Sequence, residues 1–124
     1  MSAQQEISDL DASLATDGEI IKLQRGRTDG PGYIEIDLPA FVRPTGSSTL
    51  IDGVLQQDIK VIISPTVINA QNWPGPEEGT GDPRIPRKGD RAITSQGTSV
   101  VQVGRGIKVE NTVVRIEFTA RGNA

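Results

Sequence analysis

The sequence contains no cysteine and no histidine among its 124 residues. Without cysteine there is no disulfide framework, and without either residue there is no Cys/His zinc site. The usual covalent hydrolytic machinery is also excluded, because neither a Ser–His–Asp triad nor a Cys–His pair can be assembled. Missing cysteines do not identify a compartment. Aromatics are scarce, with one Trp, one Tyr and two Phe. These side chains bury the most area per residue, so the core must be aliphatic. Two outcomes fit that composition: a monomer of modest stability supplemented by neighbouring copies, or a small Val/Ile barrel stable by itself. The longest strongly apolar run, Val61-Ile62-Ile63, is far too short to span a bilayer. Met1-Ser2-Ala3-Gln4-Gln5-Glu6 shows no basic region leading into an apolar run, so no signal peptide is expected, and a soluble protein made in the cytoplasm is. Positive charge is not in excess: 13 Lys and Arg face 16 Asp and Glu, for a net charge of −3 and a pI near 4.9. Nucleic-acid binders usually show a basic patch and a high pI. An acidic surface suits a protein that lets DNA pass without holding it, and equally an ordinary soluble protein.

What remains reads as one domain over residues 1–124, mainly β, with enough chain to bury roughly two thirds of its unfolded surface. Ser2 with Gln5 fits a capping box, and Ile7, Leu10 and Leu14 recur on one helical stripe. A short helix is therefore expected from about Ala3 to Thr16, stopped by Gly18, either packed on the chain's own sheet or serving as an arm. Strands are expected at Glu19–Arg25, at Tyr33–Leu38 with clean alternation, and at Asp58–Ser64, where Val61 to Ile63 are buried on both faces or lie at an interface. Pro39 marks a bulge or edge position, since it cannot donate to a ladder. Pro44–Gln57 reads as a loop carrying Leu50, Ile51, Val54 and Leu55. Four large aliphatics there are either a helical turn tucked over the barrel mouth or a contact surface.

Asn69–Asp90 is a long Pro/Gly-rich stretch. Structureless loops of that length are usually functional or disordered. Its one large apolar residue, Trp73, either anchors the loop root or docks a partner. Pro86-Arg87-Lys88-Gly89-Asp90 ends in a Gly-Asp turn. Three strand-like runs follow, Arg91–Thr94, Ser99–Val103 and Thr112–Phe118, with turns at Gln96-Gly97 and Gly104-Arg105-Gly106. The whole predicts a small β-barrel or sandwich of about six to seven antiparallel strands.

Positive evidence for chemistry is missing. There is no Gly-x-x-x-x-Gly-Lys-Ser/Thr loop, and Gly104-x-Gly106 is a turn rather than a dinucleotide fingerprint. Glu77, Glu78, Asp82 and Asp90 lack the spacing of a calcium loop, and no sequence order supports a paired-carboxylate hydrolase. The expectation is a protein that is not an enzyme and uses no metal or cofactor. Arg25, Arg27, Arg43, Arg84, Arg87, Lys88 and Arg91 are the local basic concentrations. They are either phosphate or acidic-partner contacts, or solubilising charges that guard strand edges.

The order of pieces carries a resemblance: Gly18, Leu23-Gln24-Arg25, Leu50-Ile51-Asp52-Gly53-Val54, Asp58–Ile63, Trp73-Pro74, Pro86–Asp90 and Phe118–Gly122. It resembles the small head-closure or head–tail connector proteins of tailed bacteriophages over most of the chain, with Glu77–Asp82 as an insertion. These motifs are turns and strands rather than catalytic residues. The resemblance implies a structural virion protein of the neck, assembled in the host cytoplasm without a cofactor. It implies a six- or twelve-fold homo-oligomeric ring beneath the portal that retains packaged DNA and docks the tail. Portal, adaptor and tail proteins would be its partners; DNA would pass through the channel, and no membrane is involved. Within that expectation, Trp73, Arg84, Arg87 and Lys88 face adjacent rings or the DNA channel, and Leu50, Ile51, Val54 and Leu55 make subunit contacts. A tail terminator or adaptor of the same neck is the near alternative. A small oligonucleotide-binding barrel is the distant one, and it would need Tyr33, Phe41, Trp73 and Phe118 as stacking platforms.

Overall fold

The computed structural model describes residues 2–26, 30–51, 54–73 and 84–123, with side chains described except at 46–51, 54–55 and 123. Helix α1, Ala3–Asp17, forms where the capping signal places it. The Ser2 hydroxyl accepts from the Gln5 amide at 3.2 Å. The Gln5 side chain turns away from the cap and donates to Asp9 at 2.8 Å, so only half of the capping box is made. Gly18 ends the helix in extended backbone, not in the left-handed conformation. Glycine is needed there for space, since a Cβ would lie 2.6 Å from the Leu14 carbonyl oxygen and 2.9 Å from that of Ala40. Leu14 is buried, and α1 packs on the sheet rather than standing off as an arm.

Six antiparallel strands close into a barrel in the order β1-β2-β3-β6-β5-β4. They are β1 Glu19–Gly26, β2 Tyr33–Ile51, β3 Val54–Ile63, β4 Arg91–Thr94, β5 Gly97–Val109 and β6 Thr112–Asn123. Alternation decides what faces inward. Ile21 and Leu23, Ile36, Leu38 and Ala40, Ile59, Val61 and Ile63, and Ile116, Phe118 and Ala120 fill the interior with Ala92 and Val101. Val61–Ile63 is thus a one-sided strand, with Val61 and Ile63 in the core and Ile62 half-buried outside.

Four expectations need correction. Pro44–Gln57 is not a loop with a tucked helical turn. The chain continues as β2 and returns as β3, pairing Leu50 with Leu55 and Ile51 with Val54. A two-stranded extension satisfies its own backbone groups by pairing, so it can run beyond the barrel body. The side chains of Leu50, Ile51, Val54 and Leu55 lie outside the described residues. Second, of the two readings of Pro39 the bulge fails and the edge position holds: its register with Ile20 is unbroken, and β3 pairing begins only at Ala40, so Pro39 is paired on one side only. The irregularity lies between Pro44 and Ser48.

Third, Gly104-Arg105-Gly106 is strand interior. The turn comes later, at Glu110 and Asn111, whose φ values of 53° and 63° match the left-handed pair of a tight hairpin turn. Gly104 and Gly106 exist for close approach: a Cβ on Gly104 would sit 2.0 Å from the Pro86 carbonyl oxygen, and one on Gly106 2.9 Å from Ile85 Cδ1. Fourth, the strand expected over Asp58–Ser64 stops at Ile63, and a helix that was not expected follows it: α2, Pro65–Gln71, capped by Ser64 and closed by left-handed Asn72. Serine followed by proline is a readable helix start.

Candidate interaction surfaces

Along β1 the inward positions run Ile21, Leu23, Arg25. The third is charged and yet buried, so it must be paired. Asp90 answers it from the turn before β4. Arg25 Nε donates to Asp90 Oδ1 at 3.0 Å and Nη2 donates to Oδ2 at 2.7 Å, a bidentate contact. Their side chains are 6% and 5% exposed. Arg25 Nη2 also donates to the Ile85 carbonyl at 3.2 Å, and its guanidinium lies 4.9 Å from the centre of the Trp73 ring. Asp90 further accepts from the Arg87 amide at 2.9 Å. The Trp73 indole N–H donates to the Ile34 carbonyl at 2.9 Å. This network binds the segment Ile85–Asp90 across the barrel end, where it lies on the flat surface left by Gly104 and Gly106.

Trp73 is therefore 1% exposed. It anchors the loop root and offers no face to a partner, which corrects its assignment as a contact residue. Arg84 reaches back to α2, donating to the side-chain carbonyls of Asn69 at 3.0 Å and Asn72 at 2.8 Å. The segment between Trp73 and Arg84 thus leaves and re-enters the body at neighbouring points. Residues 74–83, including Glu77–Asp82, lie outside the described residues, as does Arg27. Arg87 and Lys88 are exposed on the turn. Arg25 belongs to the interior and Arg91 stacks on Tyr33, with 5.2 Å from guanidinium to ring centre, so the basic residues grouped by sequence do not form one patch.

The outer surface holds a cluster that sequence reading missed. Glu117 of β6 is 4% exposed although it points outward. Arg115 covers it at 2.6 Å, Arg105 of β5 at 3.0 Å and Lys60 of β3 at 3.7 Å. The Arg115 hydrogen bond, opposed by burial and assisted by Arg105 and Lys60, holds the Glu117 carboxyl below its ordinary 4.5. Four register positions further along the same two strands, Asp58 pairs with Arg121 at 2.7 Å, and that hydrogen bond keeps Asp58 below its ordinary 3.8. Strand order brings these groups together; along the chain Lys60 and Arg115 are far apart, which is why no sequence pattern showed them.

Both shifts are downward, so the sign follows directly: this stabilisation is complete above the unfolded-state values and disappears as pH falls through the folded ones. The melting temperature should hold level down to about pH 5 and then decline. In Glu117→Gln the melting temperature should be lower at neutral pH, with the gap to wild type narrowing as acid protonates Glu117. A gap that stays constant from neutral pH to about pH 3 in calorimetric melts would refute the assignment.

Beside the cluster lies an open cleft of about 380 Å³ lined by Lys60, Val103, Arg105, Glu117 and Thr119. Among the described residues no group of three or more Asp and Glu is placed to hold a metal ion, and no helix is long and apolar enough to cross a membrane. Compared with known proteins, the sequence matches no family model and no curated protein.

Proposed function

We propose that this chain is a structural virion protein: a head–tail connector subunit, of the head-closure or stopper type, that forms a ring beneath the portal of a tailed bacteriophage. The supporting observation is a closed barrel whose β2 and β3 continue as a paired extension, Ser48–Ile51 with Val54–Gln57. A paired extension held in register by the barrel is the kind of feature that docking between stacked rings requires. The buried carboxylates agree with a non-catalytic role, since Asp90 and Glu117 are each neutralised by arginine. The oligonucleotide-binding alternative loses ground, because two of its four stacking candidates, Trp73 and Phe118, are 1% and 2% exposed. A tail terminator or adaptor ring of the same neck would use the same body.

Disrupting the gene in the genome that encodes it should yield DNA-filled heads that leak and carry no tails, as seen by electron microscopy. Deleting Glu77–Asp82 should leave a folded protein that fails to restore tailed particles. Normal tailed particles in the gene disruption would overturn the reading.

A further inference from the structure

A bulge in β5 sets what the outer wall of the barrel offers. Val101 is opposite Ala120 and Val103 is opposite Thr119, so Gln102 is one residue extra. Plain alternation would send Val103 and Arg105 inward with Val101. The extra residue reverses the faces. Gly104 and Gly106 turn inward against Pro86 and Ile85, and Val103 and Arg105 turn outward. Outward side chains then fall in two rows across β3, β6 and β5: Lys60, Thr119 and Val103 in one, Ile62, Glu117 and Arg105 in the next. The cleft of about 380 Å³ draws its lining from both.

The charges at this cleft do not cancel. Arg115 binds Glu117 through both Nε and Nη2, and it lines a separate hollow with Glu6 and Asp9 of α1. Asp58 and Arg121 neutralise each other. Among the described residues, Lys60 and Arg105 share only the Glu117 carboxylate, which Arg115 already holds. The Glu117 side chain is 5% exposed, against 46% for Lys60 and 72% for Arg105. A molecule in the cleft therefore meets the cations and not the carboxylate. Arg43, opposite Lys60 in the register, adds positive charge at the rim. Val103, 62% exposed, supplies an apolar wall.

We propose that this cleft binds a phosphate monoester, with the phosphate on Lys60, Arg105 and the Thr119 hydroxyl and the organic group against Val103. A dianion matches two cations. A guanidinium fork, an ammonium and a hydroxyl arriving from three strands suit the oxygens of a phosphate better than the two of a carboxylate. The cleft volume is that of a small-molecule site. Glu117 is a positioning residue that draws Lys60 and Arg105 together. A nucleic-acid strand fits less well: laid along β6, it would run from Arg121, held by Asp58, to Arg115, beside Glu6 and Asp9, and meet carboxylates at both ends. The proposal is independent of the neck role, and the particle phenotypes above do not bear on it.

Phenyl phosphate titrated into the isotope-labelled full-length protein should shift the amide resonances of Val103, Arg105 and Thr119 saturably, with a Kd of about 1 mM or lower. Inorganic phosphate, which lacks the organic group, and benzoate, a monoanion with the same ring, should each bind about tenfold more weakly or worse. Lys60→Gln and Arg105→Gln should each weaken phenyl phosphate binding about tenfold. Val103→Asp should abolish it by placing a competing carboxylate in the cleft. Lys22→Gln, on β1 three places round the barrel from β6, should leave it unchanged. Circular dichroism should show the same fold in every variant, since each side chain is at the surface. Shifts that do not saturate, inorganic phosphate or benzoate binding as tightly as phenyl phosphate, or undiminished binding in Lys60→Gln and Arg105→Gln would overturn the proposal. A duplex oligonucleotide that displaces phenyl phosphate would overturn it too, because the cleft would then read a nucleic-acid backbone.

Discussion

Asp90→Ala should destabilise the protein by about 3–5 kcal/mol, the cost of leaving a buried partner charge uncompensated. The exposed fractions of 6% and 5% for Arg25 and Asp90 are the reason. A surface pair contributes roughly 0–1 kcal/mol because water competes for both partners. Here water is excluded, and the Ile85 carbonyl and the face of Trp73 do not supply the stranded guanidinium with a counter-charge. For a domain of this length the melting temperature should fall by roughly 10–20 °C. Amide exchange should quicken first at Gly89 and Val101, which tie the turn to β5 through Gly89 N–H to Val101 O at 3.2 Å and Val101 N–H to Asp90 O at 2.7 Å. Arg25→Met combined with Asp90→Leu should regain much of the loss, since an apolar pair of similar volume needs no charge compensation. A single variant within about 1 kcal/mol of wild type would show that the pair is solvated and does not hold the segment.

Trp73→Ala should cost about 3–5 kcal/mol, in the range of large aromatic truncations in cores. Three effects combine: the cavity, the orphaned Ile34 carbonyl and the exposed edge of Arg25. Trp73→Phe separates them, because it keeps most of the ring and loses only the indole N–H, a change worth about 1 kcal/mol for the hydrogen bond. Asp90 and Trp73 both contact Arg25, so their combined effect should be non-additive. The chain has one Trp, and its fluorescence therefore reports this site alone. Emission should be blue-shifted and poorly quenched by iodide in the native protein, then move to the red on unfolding. Native emission already red and freely quenched would place the indole at the surface and restore its assignment as a partner contact.

Periodicity made much of the architecture legible. The Tyr33–Leu38 alternation and the Val114, Ile116, Phe118 series set the inward faces of β2 and β6, and Ser2 with the Ile7, Leu10, Leu14 stripe placed α1. Glycine was the main source of error. At Gly104 and Gly106 it was read as turn chemistry, whereas its purpose is to admit Ile85 and Pro86 onto the inner face of β5. A Gly that frees φ and a Gly that frees space look the same in a sequence. The true turn at Glu110-Asn111 lacks glycine altogether. In β2 and β3 the Pro, Gly and Ser residues around position 46 suggested a loop, but pairing with a long partner overrode local preference. For the interaction surfaces, Trp73 as an anchor and the Gly89-Asp90 turn were readable. Arg25 was readable in part, because its place after Ile21 and Leu23 puts it on the inward side.

Local chemistry along the chain thus set the class, the inward-facing aliphatics, the starts of both helices and the lack of disulfide or Cys/His metal chemistry, because each depends on neighbours a few residues apart. Folding in three dimensions set the rest. Closure of six strands joined Lys60, Arg105 and Arg115 around Glu117 and paired Arg25 with Asp90 across 65 positions. Those relations are between strands, and their register is fixed by which side chains fill a common interior, a quantity no single stretch of sequence contains.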